Sequence, residues 1–260
     1  MKQIFLGSQI KFFEQETMDN KMKKNSGRYE AIIFDMDGVI INSKEYVEEF
    51  WLEKLDEHGI EIPMDEREVR FHGRPARPTV NDLFADLPEE KREEIIKQCG
   101  EYDASVERYP MIPGVERLLK ECVENGIRIG LVTSALPGKV DRMLAGLSFQ
   151  SPFEVIVTAD LVINGKPDPE CYLLAADKLN VSPQKIVVFE DSVSGVKAAS
   201  WAGATVVGIN EYDQAHALNA AGAISVLPDL QKTEVVRENG SMKLYPAGKE
   251  ETFFLISAVE

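Results

Sequence analysis

Short runs of β-branched and other apolar residues recur along the chain, each separated from the next by an amphipathic stretch. This alternation constrains the fold more than any other feature. The runs fall at 31–34, 127–132, 155–157, 186–189 and 205–209. Each has the length and composition of a strand buried on both faces. Helical patterns lie between and after them, at 115–124, 139–147, 169–179 and 195–202. Strands of this kind, alternating with helices, predict an α/β fold: a Rossmann-like, doubly wound parallel sheet with helices on both faces.

The stretch 43–111 interrupts the rhythm. It carries helical patterns at 44–57 and 89–108, no strand, and a Gly/Pro-rich middle at Gly73-Arg74-Pro75-Ala76-Arg77-Pro78. An insertion after the first strand sits over the ligand crevice of such a sheet, where a lid belongs. The expected organisation is therefore a flexible tail over 1–28, an α/β core over 29–42 and 112–230, an α-helical cap over 43–111, and an extension over 231–260 with a hairpin turning at Asn239-Gly240.

The chemistry concentrates at strand ends. Asp35-Met36-Asp37-Gly38 directly follows the first strand. Two carboxylates at that place repel each other and are costly to bury, and a divalent cation resolves both difficulties. A calcium loop would place glycine sixth and glutamate twelfth, and here glycine is fourth. Glu190-Asp191-Ser192 follows another strand, so acids from two strand ends can converge on one Mg2+. Thr133-Ser134 ends a third strand, with hydroxyls suited to phosphoryl oxygens. Lys166, between Gly165 and Pro167, is a cation in a rigid turn that can neutralise a nucleophile and a transferring phosphate. Each signal alone has a bland reading as a turn, a helix cap or a surface lysine. Their order along one alternating pattern is what excludes it.

Charge and composition narrow the partners. A formal net charge of −15 repels nucleic acid and anionic membranes, so neither is expected. No run approaches the ~20 apolar residues of a membrane span. The three cysteines, Cys99, Cys122 and Cys171, have no metal spacing and fit a reduced, cytoplasmic protein. A monomer or weak homodimer is expected.

In these motifs the sequence resembles the haloacid dehalogenase superfamily, in the subgroup with a helical C1-type cap. The resemblance runs from about Tyr29 to about Leu230 and rests on Asp35-Met36-Asp37-Gly38-Val39, Thr133, Lys166-Pro167 and Glu190-Asp191. It implies that Asp35 attacks phosphorus to form an aspartyl-phosphate and that Asp37 acts as general acid and then base. Thr133 and Lys166 would hold the phosphoryl group, with Gly38 and Ser134 beside them. It further implies Mg2+ held by Asp35, the Asp37 carbonyl and Asp191, with Glu190 among or beside the ligands. β-Phosphoglucomutases carry a cap-linker histidine where this chain has Val47. Glycerol-phosphate and sugar-phosphate phosphatases are more similar at Phe50-Trp51, His72-Gly73-Arg74 and Tyr172-Leu173. The expected activity is thus hydrolysis of a small polyol or sugar phosphate, with Arg74 and His72 as cap contacts to substrate. Trp51 is expected in the cap core and Arg77 at the surface. A phosphosugar mutase and a non-catalytic regulatory protein are the alternatives.

Overall fold

The computed structural model describes residues 29–210, 215–238, 241–246 and 254–257. Strands β1 (Ala31–Phe34), β2 (Arg128–Val132), β3 (Val155–Val157), β4 (Ile186–Glu190), β5 (Thr205–Ile209) and β6 (Ser225–Leu227) form one parallel sheet in the order β3-β2-β1-β4-β5-β6. Four of these residues, Ala31, Ile32, Ile33 and Phe34, fill the centre of the sheet and are fully buried.

Alternation along the strands divides the core in two. Ile32, Phe34, Ile129, Leu131, Val187 and Phe189 face one side, where Leu118 and Leu119 of α5 (Val115–Glu124) and Val140 and Met143 of α6 (Pro137–Gly146) pack on them. Ala31, Ile33, Val132, Val188 and Val206 face the other. There they meet α7 (Glu170–Leu179), α8 (Val193–Ala202) and α9 (Ala215–Ala221), through residues such as Ala175, Leu179, Val196 and Leu218. Successive side chains on a strand point to opposite faces, so apolar runs of this kind need a helical layer on each side. Strand β6 is not foreseen from sequence, since three residues with a serine at their head, two of them only half-buried, give little pattern.

The insertion folds into four helices, α1 (Lys44–Glu57), α2 (Met64–Phe71), α3 (Ala76–Leu83) and α4 (Glu89–Ser105). They close around their own core of Phe50, Trp51, Leu55, Phe71, Val80, Phe84 and Ile95. The sequence reading finds only the first and last. Helix α3 begins directly after Pro75, and Pro78 lies in its first turn, where a missing N–H breaks no helical bond. The prolines that suggest a loop therefore start a helix.

Past the sheet, β7 (Glu234–Glu238), β8 (Ser241–Tyr245) and β9 (Phe254–Ile256) form an antiparallel sheet in that order. Strands β7 and β8 pair antiparallel, Glu238 opposite Ser241, while the Asn239-Gly240 turn and the 1–28 tail lie outside the described residues. The third strand is unforeseen. It binds Tyr29, whose N–H donates to Leu255 O (2.8 Å) and whose carbonyl accepts from Ser257 N (2.8 Å). Val235, Met242, Leu244, Phe254 and Ile256 belong to the same core cluster as Ile32 and Phe34.

Candidate active site

The connections after β1, β2, β3 and β4 meet at the C-terminal ends of the strands, and the side chains there are unusually buried for their polarity. Asp35, Thr133, Lys166, Glu190 and Asp191 are each at most 6 % exposed. Asp35 still belongs to the ladder through its N–H to Phe189 O (2.9 Å). Lys166 Nζ donates to Asp35 Oδ1 (2.5 Å) and to Glu190 Oε1 (2.6 Å), and lies 5.2 Å from the centre of the Tyr172 ring. Glu190 Oε1 also accepts from the Tyr172 hydroxyl (3.1 Å), and Oε2 accepts from Ser192 N (2.9 Å) and Ser192 Oγ (3.1 Å). Four donors fill a carboxylate. Glu190, grouped with the metal ligands from sequence, therefore sits in the structure as the partner of Lys166. Its room comes from Gly195 in the first turn of α8, where a Cβ would lie 1.6 Å from Glu190 Oε1.

Burial disfavours charge on Asp35 and pushes its carboxyl well above the usual range. Lys166 pulls it down, while Glu190, Asp191 and Asp37 push it further up. Burial also works against charge on Lys166, but Asp35 and Glu190 outweigh it and hold the ammonium above its ordinary value. Lys166 is thus shared between two carboxylates.

Asp37 faces differently. Lys139 Nζ, at the start of α6, lies 2.7 Å from Asp37 Oδ1, and Ser43 Oγ donates to the same oxygen at 2.5 Å. Burial raises the Asp37 carboxyl, but Lys139 and Ser43 outweigh it and hold it below the usual range. Gly38 follows with φ +77°, and a Cβ on it would lie 1.9 Å from Asp191 Oδ2. The glycine is what lets the Asp191 carboxylate lie against this turn. Lys44 Nζ stands 3.6 Å from Asp191 Oδ2.

Thr133 Oγ1 accepts from Ala135 N (3.0 Å), which orders the turn after β2. Ser134 Oγ and Ser194 Oγ approach Gly73 O of the cap at 3.4 and 3.2 Å. The cap loop thus rests on the core at Gly73, with φ +68° and no space for a side chain against Ser192.

Between cap and core lies a cavity of about 530 Å3. Asp35, Asp37, Asp191, Ser134, His72 and Arg74 all line it, as do Trp51 and Arg77. Thr133, Lys166, Glu190 and Gly38 are not part of that lining. Arg74 reaches Asp82 (2.9 Å), Arg77 pairs with Glu93, and buried His72 has Nε2 3.7 Å from Glu48 Oε1. Trp51 is 4 % exposed and packs in the cap core as expected. Arg77 is exposed as expected yet also borders the cavity.

Among the described residues no group of three or more His, Cys, Asp or Glu side chains is arranged as a metal cage. Mg2+ does not need one, since it takes one or two carboxylates and keeps several waters. Asp35 and Asp191 supply hard oxygen donors beside the Asp37-Gly38 turn, within negative charge that Lys166 alone does not balance. This donor set suits a hard divalent cation.

Lys139, Asp103 and Tyr109 carry no signal in the sequence that marks them as part of the site. A lysine after Pro137-Gly138 carries no pattern that distinguishes it from a surface residue; only the fold turns it toward Asp37.

The haloacid dehalogenase-like hydrolase family model matches residues 32–209. A validoxylamine A 7'-phosphate phosphatase from Streptomyces hygroscopicus subsp. limoneus is 34% identical over 210 residues, covering 80% of this chain and 96% of that protein. A phosphorylated carbohydrates phosphatase from Thermotoga maritima is 35% identical over 218 residues, covering 80% and 99%. Among solved structures, a β-phosphoglucomutase from Clostridium difficile superposes with a TM-score of 0.67 at 27% identity, covering 78% of this chain and 92% of that one.

Proposed function

Because the chain belongs to the haloacid dehalogenase-like hydrolase family and is a phosphatase of that family, we propose that it hydrolyses a small polyol or sugar phosphate with Mg2+, through a phosphoryl group carried on Asp35. The observation that carries this reading is the buried Lys166, held at once by Asp35 Oδ1 and Glu190 Oε1 at the ends of neighbouring strands.

Lys166 fixes one Asp35 oxygen and leaves the other for bond formation. Asp35 attacks phosphorus and the bond to the leaving oxygen breaks, while Asp37 gives that oxygen a proton; Lys139 and Ser43 favour the ionised Asp37 of the free protein, so it must take up that proton before this step. Asp37, now a carboxylate, takes a proton from water. The water oxygen attacks phosphorus, the Asp35–phosphorus bond breaks, and inorganic phosphate and the free carboxylate return. Lys166, Thr133, Ser134 and the Gly38 turn surround the phosphoryl oxygens. Asp35, Asp191 and the Asp37 carbonyl would hold Mg2+, which when bound screens the charge between carboxylate and phosphate. Glu190 holds Lys166 rather than the metal. Arg74 and His72 line the cap side of the cavity and contact the leaving group.

The cavity between cap and core supports a small-molecule substrate, because a lid closing over the site obstructs a folded protein. Val47 lines that cavity and has no proton to relay, which favours hydrolysis over mutase chemistry. The test is phosphate release from a panel of glycerol, hexitol, hexose and pentose phosphates, with Mg2+ and with chelator. Mg2+-dependent release that is absent from Asp35→Asn is the expected result. Isomer interconversion without net phosphate, or no turnover by wild type on any ester, overturns the reading.

A further inference from the structure

Lys139 is shared. Its Nζ lies 2.7 Å from Asp37 Oδ1 on the core and 3.1 Å from Asp103 Oδ1 on the cap helix α4, and sits 4.7 Å from the centre of the Tyr109 ring. Asp103 is itself clamped: Tyr109 OH donates to Oδ1 (2.9 Å), and Arg142 Nη2 donates to Oδ2 (2.5 Å) and to the Asp103 carbonyl (2.8 Å). Arg142 stands one turn beyond Lys139 on α6, so one core helix grips one cap carboxylate with two cations. Asp103 and Tyr109 flank the end of α4, where the chain returns from cap to core. The cluster therefore stands at the pivot of the lid and within one side chain of the acid that serves the leaving group.

We propose that Asp103, acting through Lys139, is a positioning residue that ties the seating of the cap to the placement of Asp37. A single ammonium bound to both carboxylates cannot follow one without constraining the other. When the cap is seated, Asp103 shares Lys139 and holds its Nζ between the two domains; when the cap lifts, the lysine is left to Asp37 alone. Arg142 and Tyr109 keep Asp103 aimed, so the device uses the cap backbone as its lever. An exposed ion pair between two surfaces has little effect, but here the lysine side chain is only 10 % exposed, which limits solvent screening. The proposal rests on the phosphatase reading for its kinetic consequence and on geometry alone for its structural one.

The test is a double-mutant cycle with a separate structural readout. Asp103→Asn is expected to lower kcat by about ten- to a hundred-fold, as small misplacements of reacting groups do, with a much smaller change in KM. In the Lys139→Met background the same substitution is expected to change kcat less than about two-fold, because the path through the lysine is already gone. Equal effects of Asp103→Asn in both backgrounds overturn the proposal and assign its effect to Arg142. In Trp201→Phe protein, Trp51 is the remaining tryptophan, and it lines the cavity. Its emission is expected to shift to the red on Asp103→Asn as water enters under a loosened cap. Wild type that releases no phosphate while this shift persists removes the phosphatase reading and leaves the tie intact. Absence of both the kcat loss and the shift removes the tie.

Discussion

The floor and the roof of the cavity are built by different means. On the floor, Asp35, Lys166, Glu190 and Asp191 are nearly sealed from solvent; the first three bond to one another or to the backbone, and Asp191 lies against the Gly38 turn. On the roof, Arg74 and Arg77 are held by single carboxylates, Asp82 of α3 and Glu93 of α4, and keep solvent contact. A buried charge without its partner is strongly unfavourable, whereas an exposed pair contributes little. The floor can therefore vary in few ways, and the roof in many. This is the arrangement expected where chemistry is fixed and the leaving group is what changes between relatives.

The comparison is tested hardest at Asp35. If Asp35 is the nucleophile proposed above, Asp35→Asn is expected to lower kcat by at least about 10^4-fold. Thermal melting should show no loss of stability, since the change removes one charge from a crowded anionic cluster. Next comes the distinction within the floor. Glu190→Gln is expected to lower kcat by about 10^2- to 10^3-fold through Lys166 while leaving the Mg2+ concentration for half-maximal activity unchanged. Asp191→Asn is expected to raise that Mg2+ concentration by about ten-fold or more. Equal shifts in the two variants would return Glu190 to the metal and blur the division drawn here.

Roof substitutions should be milder. Arg74→Ala is expected to change kcat/KM by less than about ten-fold, mostly in KM, with melting within a degree or two of wild type. A loss as large as that of Glu190→Gln would break the comparison.

The smallest effect is one of pH on the stability of the metal-free protein. Lys139 and Ser43 hold the folded Asp37 carboxyl below its unfolded value. Its stabilising contribution is then present above the unfolded value and lost as pH falls through the folded one. Lys139→Met should melt below wild type near neutral pH, and the gap should narrow on acidification through the carboxylate range. A gap independent of pH would show that Lys139 stabilises by packing alone.

The floor was more legible in the sequence than the roof, for the same physical reason. Short apolar runs mark the strands, and β1, β3 and β5 fall where those runs place them. The residue after a buried strand can only be at the sheet edge, so Asp35, Thr133 and Glu190 could be located without a structure. The direction of a side chain could not: Glu190 and Asp191 are adjacent in sequence, yet one turns to Lys166 and the other to the Gly38 turn. In the cap, α2 and α3 are only eight residues each and α3 opens on prolines, so neither runs long enough to stand out from a loop. Lys139 and Asp103 meet across 36 residues of chain, and nothing local to either announces the other.

Gly195 offers a diagnostic that needs only a sequence. The Glu190 carboxylate fills the volume where a side chain at 195 would begin. A homologous chain with alanine or anything larger there must swing its glutamate elsewhere, whatever its other motifs say. One letter in the first turn of that helix therefore reports whether the acid beneath the lysine is a strut or has been released for another use.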